Sequence, residues 1–194
     1  MNSKSKPIVA LVLAIAIVTA GCSAQWISVA LEDLPVLTQM ALNIATLVSA
    51  VASGQQASSA DVAVIQNISA QASRDLNLLQ GLYNEYKANP NATTLQKIES
   101  VIADLNQNLP AVLQSAHVSN ATLSARITAA VNLILTTVNS FASLMPQSTP
   151  TTARKAATAS LVHPSDLRKQ WNQQVCAPSG NAALDAAFAA SVLR

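Results

Sequence analysis

Apolar residues recur along this chain at steps of three and four, the spacing that puts them on one face of an α-helix. Ile27, Leu31, Leu34, Leu37, Ala41, Ile44, Val48 and Val51 form the first stripe, which ends near Ser53-Gly54. Pro35 falls early in it, either as the first-turn proline of a helix capped by Asp33 or as a kink in a longer helix beginning near Trp26. A second helix is predicted from Ser58, which forms a capping-box-like pair with Asp61, and carries Ile65, Ile68, Ala72, Leu76, Leu79, Tyr83 and Tyr86. Asn89-Pro90-Asn91 breaks it, and Asn91 caps a third helix. Leu95, Ile98, Ile102, Leu105, Leu109 and Val112 make the cleanest amphipathic run, with Pro110 inside it as an expected kink or short break. Asn120 caps a fourth helix with Leu123, Ile127, Val131, Ile134, Val138, Phe141 and Met145 on its stripe, and Pro146 ends it.

Gln147 to Ser160, rich in Thr, Ala and Ser, has no periodicity and reads as a linker. Pro164-Ser165 then starts a short helix carrying Leu167 and Trp171, and Asn181 caps another carrying Leu184, Phe188 and Val192. Four long helices with short connections run antiparallel in succession, each with one stripe to hide. The predicted fold is therefore all-α: an up-down-up-down four-helix bundle over 22–146, a linker over 147–163, and short helices over 164–194 folded back on the bundle.

The segment before the bundle has a different pattern. Lys4 and Lys6 precede an uncharged apolar run from Ile8 to Val18, which ends in Thr19-Ala20-Gly21-Cys22. A charged start, an apolar core and small residues before a cut make a secretory signal. With a cysteine immediately after Ala20-Gly21, the segment resembles the lipobox of bacterial lipoproteins, departing from it at Thr19, where Leu, Val or Ile is commoner. The resemblance covers only the first two dozen residues. It implies cleavage between Gly21 and Cys22, removal of residues 1–21, and acylation of the Cys22 thiol. Ser23 is then permissive for sorting to the periplasmic face of the outer membrane in a host that has one. The alternative, an uncleaved anchor, is disfavoured because Pro7 to Ala20 falls short of the roughly 20 residues that cross a bilayer core.

Loss of Lys4 and Lys6 with the leader leaves nine basic residues against nine acidic ones. A chain so neutral and sparsely charged lacks the clustered Lys and Arg of phosphate-backbone binding, and no nucleic-acid partner is expected. Only 3% of residues are aromatic and four are glycine, a composition that suits helices with small-residue packing better than sheets. Two stretches, Leu34 to Ala60 and Ile127 to Ala153, carry no charge at all and are long enough for membrane helices. Thr38, Gln39, Asn43, Thr46 and Ser49 in the first, and Thr128, Asn132, Thr136, Asn139 and Ser143 in the second, lie largely off the stripes, as on a solvated face. Lipid would leave such groups uncompensated. A water-soluble bundle is the expected form.

Candidate chemistry is sparse. His117 and His163 each stand near a helix boundary with no second ligand at metal spacing, and neither Glu-x-x-His pairs nor Cys-x-x-Cys-His occurs. No metal, haem or other cofactor is expected. No nucleophile elbow, phosphate loop or dinucleotide fingerprint is present, and Glu85, Glu99 and Asp104 fall on charged helix faces. Acylation of Cys22 would leave Cys176 as the remaining thiol: a buried inert group, a site of intermolecular bridging, or the partner of an unlipidated Cys22, of which the first is expected. The sequence thus points to a non-enzymatic, lipid-anchored envelope protein that acts as a structural or interaction module, with the bilayer and an envelope protein as partners. Its rivals are a membrane-inserting, holin-like or pore-forming protein, and a carrier of an apolar small molecule in the bundle core.

Overall fold

A computed structural model of the chain describes residues 6–52, 58–115, 118, 120–145 and 162–194, and every regular element among them is an α-helix. In chain order these are α1 (Lys6–Ala52), α2 (Ser59–Ala88), α3 (Ala92–Asn108), α4 (Ala111–Ser115), α5 (Ala121–Leu144), α6 (Pro164–Gln174) and α7 (Ala182–Ala190). The linker predicted over 147–163 lies outside the described residues as far as 161, and Val162 and His163 lead into α6.

The predicted first helix takes the longer of its two forms and starts earlier still, at Lys6. Asp33 is therefore not a cap but a mid-helix residue. Pro35 is tolerated inside α1 because its ring is exposed while Leu34, Val36 and Leu37 beside it are buried. An interior proline costs ~3 kcal/mol, and burial of the residues around it offsets that.

The other helix starts fall where capping residues stand. Ser58 accepts a hydrogen bond from the Asp61 N–H at 3.1 Å, and Asn91 accepts from Thr94 N–H at 2.8 Å. Asn120 accepts from Leu123 N–H at 2.9 Å, and Asn181 accepts from the N–H groups of Ala183 and Leu184. Each satisfies donors that a helix N-terminus leaves open. Pro110 makes a short break, closing α3 at Asn108 and opening the single-turn α4 at Ala111. Gly180, at φ 80°, turns the chain from α6 into α7 in a conformation that favours glycine.

The stripes form the core. From Leu95 to Val112, and again from Leu123 to Met145, every residue of the predicted stripe is buried. α1 packs on α2, α5, α6 and α7, and α3 packs on both α2 and α5. All six aromatic side chains lie inside. Trp26 of α1 meets Tyr83 of α2 edge-on at 5.4 Å between ring centres, and Tyr83 meets Phe141 of α5 in the same way at 6.4 Å. Each edge-to-face pair contributes roughly 0.5–1.5 kcal/mol beyond the area it buries. This short aromatic chain ties together the three longest helices.

Candidate functional site

The last thirty residues are fixed to the body by a small set of polar contacts. Asn43, buried on α1, donates its side-chain amide to the Ser191 carbonyl at 3.0 Å. The same carbonyl accepts from the Trp171 indole N–H at 2.9 Å. Asn172, next on α6, closes a two-bond clamp on Leu193, accepting from its N–H and donating to its carbonyl, both at 2.9 Å. On the α5 side, Arg126 donates to the carbonyls of Gln174 and Ala177, and its guanidinium lies 5.8 Å from the centre of the Phe188 ring. Asp185 accepts from the backbone and hydroxyl of Ser179 and from Gly180 N–H, contacts that hold its carboxyl below the usual range and close the α6–α7 turn. Trp171 and Phe188 are fully buried and so cover the body rather than form an exposed surface.

This docking leaves a groove of about 390 Å³ between α1, α6 and the tail after α7. Pro35, Val36, Gln39 and Asn43 line it from α1, Arg168 from α6, and Ala190 with the Val192–Arg194 tail from the far side. Such a volume is in the range of small-molecule sites. Gln39 donates its amide to the Asn43 side-chain oxygen at 3.0 Å, which fixes the α1 wall. Arg168 and Arg194 bring two cations to the lining, which contains no carboxylate side chain.

Asp33 occupies a different environment. It is fully buried, and neither carboxyl oxygen has a hydrogen-bond partner. Burial raises its pKa from 3.8 to about 7, and the like charge of Glu32 adds to the rise. Asp75 on α2 is also buried; its Oδ1 accepts from Gln71 at 2.7 Å while Oδ2 has no partner, and burial likewise raises its pKa. The indole N–H of Trp26 and the hydroxyl of Tyr83 are buried without partners as well.

Of the residues singled out in the sequence, Gly21 and Cys22 lie within the helical span of α1. Glu85, Glu99 and Asp104 are exposed, as expected. His163 caps α6, its Nδ1 accepting from Ser165 N–H, whereas His117 lies outside the described residues. Cys176 is buried, and burial pushes its thiol up to about 11, which leaves it protonated and unreactive at neutral pH. Val192, expected on the apolar stripe of the last helix, is instead exposed on the groove, because α7 ends at Ala190 and the tail turns away. Asn43, expected among the solvated groups of α1, is buried. Among the described residues no three His, Cys, Asp or Glu side chains gather to hold a metal ion. Comparison with family profiles, curated proteins and solved structures finds no match to the chain.

Proposed function

We propose that this protein is a non-enzymatic, lipid-anchored envelope protein whose helical body serves as an interaction module. The observation that carries the reading is the sequence Thr19-Ala20-Gly21-Cys22 closing an uncharged apolar run behind Lys4 and Lys6. Cleavage before Cys22 leaves α1 starting four residues ahead of Trp26, roughly 6 Å along the helix. The acyl chains then hold the body directly against the bilayer with no flexible tether, and each buried methylene adds roughly 0.8 kcal/mol to the anchor. In a host with an outer membrane, Ser23 favours its periplasmic face.

In this reading the body is an up-down-up-down bundle of α1, α2, α3 and α5. Lys87 reaches Ser28 while Gln66 reaches Ser49, contacts that suit an antiparallel α1–α2 pair. The ring contacts of Tyr83 with Trp26 and Phe141 fit an α5 whose end lies beside the end of α2. Asn106 and Asn139 exchange amide hydrogen bonds, both at 2.9 Å, near the C-terminal ends of α3 and α5, a contact that joins the two helices without setting their sense.

The test is the intact mass of the membrane-extracted native protein with mapping of its first peptide. A chain beginning at acylated Cys22 is expected; an unprocessed Met1 start would overturn the lipoprotein reading. One observation favours the membrane-inserting rival: α5 is long and apolar enough to cross a bilayer, with a mean hydropathy of 1.5 over its most apolar window. Carbonate extraction of a Cys22→Ala variant separates the two, with release into the soluble fraction expected of the anchored module.

A further inference from the structure

We propose that the groove between α1 and the C-terminal helices binds the free carboxyl end of a short aliphatic peptide. Arg168 and Arg194 both line it, and neither makes an ion pair or hydrogen bond with the described residues. The arginine at the other helix junction is different: Arg126 is fully engaged by two carbonyls and a ring. Two guanidinium groups against the single α-carboxylate of Arg194 leave the lining cationic and favour an anion, and their planar forks suit a carboxylate or phosphate.

The rest of the wall narrows the choice. The Gln39 side chain gives its amide to Asn43, which leaves its carbonyl oxygen at the groove as an acceptor for a ligand N–H. Val36, Val192 and Leu193 supply aliphatic surface beside it. A cation for a carboxylate, an acceptor for an adjacent N–H and a small apolar wall together match the last residues of a peptide with small side chains. A bare phosphate would use only the first. The groove is also prebuilt, because its tail wall is held by the Asn172 clamp and by the Ser191 carbonyl shared between Asn43 and Trp171.

The site does not depend on acylation, so it is tested on the full chain in detergent, both unmodified in sequence and as Cys22→Ala. Calorimetric titration with N-acetyl-alanyl-alanine is expected to give saturable binding to both. The corresponding C-terminal amide should bind at least about tenfold more weakly, because it forfeits a charge-assisted pair. Arg168→Met, which keeps the aliphatic stem, should also cost about tenfold or more. Gln39→Ala, at an exposed position on α1, should weaken the peptide without altering the circular dichroism. Equal binding of acid and amide, binding unchanged in both variants, or displacement of the peptide by equimolar inorganic phosphate would each overturn the assignment. Binding by the intact chain but not by Cys22→Ala would overturn the site's independence of the anchor while leaving the lipoprotein reading intact.

Discussion

Asp33 is the residue at which the fold works against itself. A carboxyl with no partner for either oxygen resists ionisation, and its pKa stands at about 7 against an ordinary 3.8. The folded state then holds a proton that the unfolded chain releases at lower pH. The stability contributed by this group is full below pH 4, falls as pH rises towards 7, and levels off once Asp33 is ionised in both states. Between pH 5 and pH 8 the loss from this group is roughly 2–3 kcal/mol, at 1.36 kcal/mol per pKa unit. Asp75 adds to the same trend, whereas the depressed Asp185 acts only at acid pH, where its contribution is lost on protonation. Urea denaturation at pH 5 and pH 8 is expected to show the decline, and Asp33→Asn should flatten most of it. Tyr83 is a simpler case, a buried hydroxyl without a partner between two rings. Tyr83→Phe keeps both ring contacts and removes an unsatisfied group, so it should be neutral or more stable by up to about 1 kcal/mol in the same assay. Neither feature was legible in the sequence. Asp33 stands where a cap for a helix starting at Pro35 would stand, and only the backward extension of α1 turns it into an interior residue.

At the scale of elements, periodicity carried most of the information. The stripes from Leu95 to Val112 and from Leu123 to Met145 were readable because apolar side chains at helical spacing have one face to hide, and asparagine at three helix starts announced the caps. The groove was not readable, because its walls are set by contacts across the chain: Asn43 reaches Ser191 over a separation of 148 residues, and Arg126 holds the end of α6 by reaching Gln174 over 48. In the sequence Asn43 and Arg126 look like any polar residue on a helix. The hydroxyl groups of the helix surfaces have partners that the spacing alone does not show. Thr46, Ser49, Thr128 and Ser140 donate to carbonyls one turn back in their own helices, so they are satisfied without water and say little about whether a helix is solvated. Arg126 is where the hairpin of α6 and α7 is most exposed to a single change. Arg126→Ala removes two charge-assisted bonds and the contact with Phe188, at a cost of about 1–2 kcal/mol at a half-exposed site. Hydrogen exchange should quicken across α6 and α7 while the amides of α2 keep their protection, since the aromatic chain through Trp26, Tyr83 and Phe141 is untouched.

The whole molecule has two ends that differ in what they can meet. Trp26 lies about 6 Å of helix beyond Cys22, whereas Asn43 lies a further 17 residues along α1, about 25 Å. Trp171 donates to the same Ser191 carbonyl as Asn43, so it lies with the groove beside the middle of α1, which runs on to Ala52. The acyl anchor proposed at Cys22 would set the Trp26–Tyr83 end against the bilayer and hold the groove away from it. The chain contains two tryptophans, one at each of these places, which makes the orientation measurable. In single-tryptophan variants, Trp171→Phe and Trp26→Phe, reconstituted with headgroup-quencher lipids, the emission of Trp26 should be strongly quenched and that of Trp171 nearly unaffected. Both indoles are buried in protein, so the contrast reports distance from the membrane and not exposure to water. Equal quenching of the two would mean that α1 lies along the membrane surface, an orientation in which the anchor no longer holds the groove at a distance from the lipid.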